Sequence, residues 1–267
     1  MLSTKRLFFA TLFGSVIAAL AVPALAQDKG KTTETSSFTT FFSETISTGS
    51  GPRVQGSGNL IEQQRQLGSF RAVRLDGPID VKLRAGQSES VVIRADDNLA
   101  QMIETSVENG VLIVNLKKNA SFRTKNAFQV VATFKNLDSV AIKGSGDISV
   151  DRVTGDKFEA SISGSGDINV EALQTASFAG SVAGSGDLKV SGAATRQVIS
   201  VAGSGNVHAK RLAGKDVKVT VAGSGDVIVN ATDTLNVTIA GSGDVAYLGN
   251  PSITRSIAGS GEVSQAK

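Results

Sequence analysis

The chain repeats one short stretch, Val221-Ala222-Gly223-Ser224-Gly225-Asp226-Val227, through its whole second half. Gly-Ser-Gly recurs with its first glycine at 144, 164, 184, 203, 223, 241 and 259, at intervals of 20, 20, 19, 20, 18 and 18 residues. After each triplet stands Asp147, Asp167, Asp187, Asn206, Asp226, Asp244 or Glu262, followed by an apolar residue. A catalytic loop is needed once. A loop repeated at a fixed period indicates architecture, or a surface that binds by repetition.

The flanks of the repeat are β-strands. The residue two before each triplet is apolar (Ile142, Ile162, Val182, Val201, Val221, Ile239, Ile257), and further steps of two give Phe158-Ala160-Ile162 and Leu235-Val237-Ile239. Period two puts one face of a strand in a core and the other in water. Gln197 and Arg255 interrupt this apolar set, so the core has imperfect edges there.

Two architectures satisfy the pattern. Each unit is one coil of a parallel β-helix, or each triplet is the turn of an antiparallel hairpin meander. Twenty extended residues reach roughly 66 Å, enough for a circuit of three short strands and their corners. The near-constant period favours the coil, because stacked coils must match in length. The expected fold class is therefore all-β, a parallel β-helix-like solenoid of 18–20 residues per coil. A β-rich N-terminal part of the same body precedes it.

Stacking accounts for the residue types at the corner. Glycine permits positive φ in a tight turn. Serine can hydrogen-bond along the column, and Asp or Asn can cap local backbone N–H groups. Ser145, Asp147, Ser165, Asp167, Ser185, Asp187, Ser204, Asn206, Ser224, Asp226, Ser242 and Asp244 then form one polar ridge, the candidate contact surface. Stacked aspartates repel unless screened, which raises a calcium ladder. Each coil supplies one acid, however, and Asn206 breaks the column, so no metal or cofactor is assigned.

Four segments follow. Residues 1–26 carry Lys5 and Arg6, an apolar run from Leu7 to Val22, and Ala24-Leu25-Ala26, the pattern of a signal peptide cut before Gln27. Residues 27–58 are a Ser/Thr/Gly-rich flexible lead-in, with Phe38, Phe41 and Phe42 able to dock as a short strand. Residues 59–140 form the β-rich N-terminal part, with strands at 79–86, 89–95, 111–116 and 128–134 and one short helical turn within 98–110. Residues 141–263 are the repeat, and "DGPID" (76–80) is a degenerate first corner with Pro78 in place of serine. "TGD" (154–156) and "NATD" (230–233) read as ordinary turns on other corners.

Composition narrows the function. Without cysteine there are no disulfides and no thiolate metal sites. Removing Lys5 and Arg6 with the signal lowers the 27 basic residues to 25, against 24 acidic ones, which gives no electrostatic case for nucleic acid. No integral membrane span remains after signal cleavage.

The sequence resembles the autotransporter-adhesin head GIN domain family. "FRAVRLDGPIDVKLRAGQSESVVIRADDNLAQMIETSVENGVLIVNL" (70–116) and the train of GSGD corners from 142–150 to 257–263 carry the resemblance. It implies a β-helix-like fold in an exported bacterial protein, periplasmic or on the cell surface. It implies little chemistry, and no catalytic residue is carried over. Only "SQAK" follows Val263, so no membrane barrel is expected downstream.

His208 is the only histidine, which excludes multi-histidine metal sites and leaves a Ser-His-Asp set no spare member. It is expected to face solvent. The reading is a non-enzymatic binding or adhesion module of the bacterial envelope. Its partner is a glycan, an envelope polymer or a protein, and homo-oligomers are compatible with it. The alternatives are a carbohydrate-active β-helix enzyme using the corner acids with Lys143, Lys189, Lys210 or Arg211, and a structural protein that self-assembles through an open solenoid end.

Overall fold

The computed structural model describes residues 53–266. The expected signal peptide and most of the lead-in, including Phe38, Phe41 and Phe42, lie outside the described residues.

Where the sequence does not repeat, short strands pair in mixed directions. These are β1 (Val54–Gln55), β2 (Leu60–Arg65), β3 (Ala72–Asp76), β4 (Asp80–Ala85), β5 (Ser90–Asp96), β6 (Ile103–Glu108), β7 (Val111–Leu116), β8 (Phe122–Arg123) and β9 (Gln129–Phe134). β2 pairs β5, β5 pairs β9 and β6 pairs β7 antiparallel, whereas β3 pairs β7 and β4 pairs β9 parallel. The expected helical turn is a single 3-10 turn, Ala100–Met102.

The repeat then takes over. β10 (Ser139–Gly144) leads into five long strands, each nearly a whole coil running from one GSG corner to the next. They are β11 (Ile148–Gly164), β12 (Ile168–Gly184), β13 (Leu188–Gly203), β14 (Val207–Gly223) and β15 (Val227–Gly241). β16 (Val245–Leu248), β17 (Ser252–Gly259) and β18 (Val263–Gln265) finish the stack. Neighbouring coils are parallel and in register, with Ile162 opposite Val182 and Gly164 opposite Gly184. A meander would have made them antiparallel, so the chain is a parallel β-solenoid.

The parallel ladder does not stop at the corners expected from "TGD" and "NATD". Thr154 and Gly155 pair with Gln174 and Thr175, and Asn230 and Ala231 pair with Ala213 and Gly214. These segments bend within a strand and are not free turns, because the neighbouring coil satisfies their backbone groups.

Inward residues stack by type. Leu75, Ile142, Ile162, Val182, Val201, Val221 and Ile239 are all within 1% of full burial. The Phe158 and Phe178 rings lie 6.4 Å apart and nearly parallel. Each such side chain contributes about 1.5–3 kcal/mol of burial. Gln197 is not at an edge of this core. It is fully buried in the Phe158–Phe178 column, and its Nε2 donates to the carbonyls of Ala194 and Leu212. The interior is closed at the N-terminal end by buried Leu99, Ala100 and Ile103, but at the last coil Ile253 and Ile257 are exposed.

Candidate functional site

The ridge is built corner by corner. Each first glycine has φ between +127° and +139°, a region costly to other residues. The second glycine of each triplet is needed for a different reason. A Cβ on Gly166 or Gly186 would collide with the carbonyl oxygen of the glycine one coil below. The two glycines thus let coil corners approach at backbone distance, and the Ser165 N–H donates to the Gly144 carbonyl at 2.9 Å. Coil-to-coil bonding by serine goes through its backbone, and the ridge residues Ser145, Ser165, Ser185, Ser204, Ser224 and Ser242 are all exposed.

The acids form a ladder of their own. The backbone N–H of Asp167 donates to Asp147 Oδ1 at 2.9 Å, that of Asp187 to Asp167 at 2.8 Å, and that of Asn206 to Asp187 at 3.2 Å. Asp226 donates to Asn206 Oδ1 at 3.0 Å, Asp244 to Asp226 at 2.9 Å, and Glu262 to Asp244 at 2.8 Å. The cap is therefore not local, as an Asx turn would be, but runs across coils. Asn206 does not break the column. Its Oδ1 accepts like a carboxylate oxygen, and its Nδ2 donates to Asp187.

The column begins at the degenerate corner 76–80, as expected from the sequence. Leu75 pairs with Ile142 and Val81 with Ile148, which stacks 76–80 on the corner 143–147 and Asp80 below Asp147. Burial, together with the Asp147 charge, pushes the Asp80 carboxyl above its ordinary value, against the pull of the Asp147 N–H and Lys82. Asp80 was recoverable from sequence, since Gly77-x-x-Asp80 has the spacing of Gly144-x-x-Asp147.

One oxygen of each ridge acid is engaged within the fold, and the other is available. His208 is exposed as expected, and its Nε2 lies 3.8 Å from Asp187 Oδ2. Among the described residues, no three His, Cys, Asp or Glu side chains converge as metal ligands. A hollow of about 530 Å³ lies away from the ridge, where Arg65, Glu104 and Lys117 line it with a single acid. Glycosidase chemistry needs two carboxyls at a set separation in unlike environments. The ridge instead offers a column of acids, each using Oδ1 to accept the backbone N–H of the next corner residue.

Stacked parallel coils with the same polar corner in each define the class, a β-solenoid that displays a repeated surface along one edge. The chain belongs to the family described as "Putative auto-transporter adhesin, head GIN domain", which matches residues 69–251. Three solved structures share the fold. A "putative adhesin" from Bacteroides fragilis has a TM-score of 0.76 at 24% identity, covering 80% of this chain and 100% of that one. A "putative lipid binding protein" from Parabacteroides distasonis scores 0.68 at 25%, with the same coverage. A "putative adhesin" from Parabacteroides merdae scores 0.66 at 26%, covering 80% and 99%. No protein of curated function matches the chain.

Proposed function

We propose that the protein is an exported, non-catalytic binding module of the bacterial envelope, and that its GSGD ridge is the contact surface. One observation carries this reading: the serine is exposed in every coil, and among the described residues the outer carboxylate oxygens of Asp147, Asp167, Asp226 and Asp244 have no partner, while the backbone and inner oxygens hold the fold. A solenoid presents such groups at one coil spacing, about 4.8 Å. The partner must supply donors in a matching row, as the hydroxyls and amides of a glycan or envelope polymer do. The membership in an adhesin-type family supports export and binding. No helix among the described residues is long and apolar enough to cross a membrane.

The test is a binding screen over glycans and cell-wall polymers with wild type and the triple variant Asp167→Asn, Asp187→Asn, Asp226→Asn. Asn206 shows that an amide keeps the ladder, so the variant folds and loses only charge. A polymer bound by wild type and released by the folded variant supports the ridge. Undiminished binding moves the contact elsewhere.

A further inference from the structure

We propose that the C-terminal end of the solenoid is a docking edge for an extended peptide strand reading apolar–acidic–apolar at every second residue. This site lies at the end of the stack, not along the ridge, and stands independently of it.

The end is one strand short of a closed core. Among the described residues β17 pairs with β15, and β18 with β16, each on one side only. Every residue of β17 is exposed. Ile253 and Ile257 are 38% and 39% exposed, although Leu235 and Ile239, one coil below in the same columns, are 0% and 1% exposed. The opposite end of the stack is closed by buried Leu99, Ala100 and Ile103, so the opening is particular to this end.

Arg255 identifies what covers it. It occupies the inward column of Ile199, Val219 and Val237, between Ile253 and Ile257. An aliphatic residue there would match the column, and any apolar strand would then seal it. A guanidinium under an apolar strand would lose its water without compensation. It pairs instead with an acid directly across, where opposite charges on facing strands attract. Among the described residues no carboxylate lies within ion-pair distance of Arg255. The matching strand therefore sets two apolar side chains on Ile253 and Ile257 and an acid on Arg255. Its backbone continues the ladder by strand addition. Charge fixes the register, since a slip of one residue turns all three groups away.

A second role is open to an arginine at this place. Edge strands are kept from pairing by charge, and an arginine serving only that end disfavours any added strand through the cost of burying its guanidinium, with no preference for an acidic one. The two roles separate in one experiment. A labelled peptide, Lys-Thr-Val-Thr-Glu-Thr-Ile-Thr, and its twin with Lys in place of Glu are titrated into the full chain by fluorescence anisotropy. Wild type is expected to bind the Glu peptide about five- to tenfold more tightly than the Lys twin. Arg255→Glu, an exposed change whose folding is checked by circular dichroism, is expected to invert that preference. Ile257→Asp is expected to weaken both peptides. Absence of binding by wild type, equal binding of both peptides, or an unchanged preference in Arg255→Glu overturns the proposal.

Discussion

Asp187 Oδ1 accepts two hydrogen bonds from Asn206 in the next coil, one from its backbone N–H at 3.2 Å and one from its side-chain amide at 3.0 Å. Every other rung of the ladder described above has one such bond, so this rung is the most costly to lose. Asp187→Ala is expected to destabilise by about 1.5 kcal/mol and to lower the melting midpoint by roughly 3–6 °C. Asp187→Asn keeps an acceptor in place and should lie within about 0.5 kcal/mol of wild type. Denaturant midpoints for the pair decide the point. If the Asn variant is as unstable as the Ala variant, charge and not hydrogen bonding holds the column.

Two carboxyls should give stability slopes of opposite sign. The Asp80 carboxyl is raised in the folded state, so its favourable contribution is full below the unfolded value and is lost as pH rises through the folded one. Asp80→Asn, which retains an acceptor for the Asp147 N–H, is expected to be more stable than wild type at pH 7 and equal to it near pH 3. Asp138 behaves in the opposite way. Its side-chain hydrogen bonds with Arg71, at 2.7 and 3.0 Å, hold its carboxyl below the ordinary value. Its contribution is therefore present above the unfolded value and lost as pH falls through the folded one. Asp138→Asn should be less stable than wild type at pH 7 and indistinguishable from it in strong acid. Thermal melts of the three proteins from pH 2.5 to 7 check both signs.

The glycines of the corner predict a sharp contrast. Gly184 combines φ +133° with a carbonyl neighbour where a Cβ would sit, whereas Gly155 has φ outside the positive region and open space around it. Gly184→Ala is expected to cost about 3 kcal/mol or more from strain and collision together. Gly155→Ala is expected to be neutral or slightly stabilising through the unfolded chain. Comparable melting points for the two variants would show that coil corners separate cheaply.

What the sequence reveals tracks what repeats. The corner columns were legible because Ile142 and its successors return at one period, and a stack must match coil to coil. The parallel direction followed from that constancy. The order of β2, β5 and β9 was not legible, because those strands pair across 26 to 43 residues without a shared motif. The Asp80 rung was legible despite Pro78 in the serine place, because Gly77 and Asp80 keep the corner spacing. The cross-coil path of the acid bonds was hidden, since Asx capping within one turn and capping between coils require the same residue types. The continuous ladder through Thr154 and Asn230 is not legible for a related reason. Polar, glycine-bearing stretches look like loops until a neighbouring coil satisfies them.

Gln197 is where the apolar pattern and the structure diverge most, and its role can be tested by three side chains of similar size. It lies at 1% exposure in the column of Phe158, Phe178 and Val217, with Nε2 donating to the Ala194 and Leu212 carbonyls and Oε1 without a partner. Its coil belongs to the one 19-residue interval of the repeat, and β13 shifts register against both neighbours within residues 189–192. The amide thus satisfies carbonyls within a shortened circuit. Gln197→Leu suits the apolar column but abandons both carbonyls, an expected loss of about 1–3 kcal/mol. Gln197→Glu is expected to be worse at pH 7, because a buried carboxylate would face two carbonyl oxygens without a donor. Burial raises the folded-state value of that new carboxyl, so the Glu deficit should shrink as pH falls and the protonated acid donates in place of the amide. The expected order at pH 7 is Gln, Leu, Glu from most to least stable, with Glu approaching or passing Leu near pH 4. An order of Leu above Gln would show that the column tolerates the glutamine without needing it.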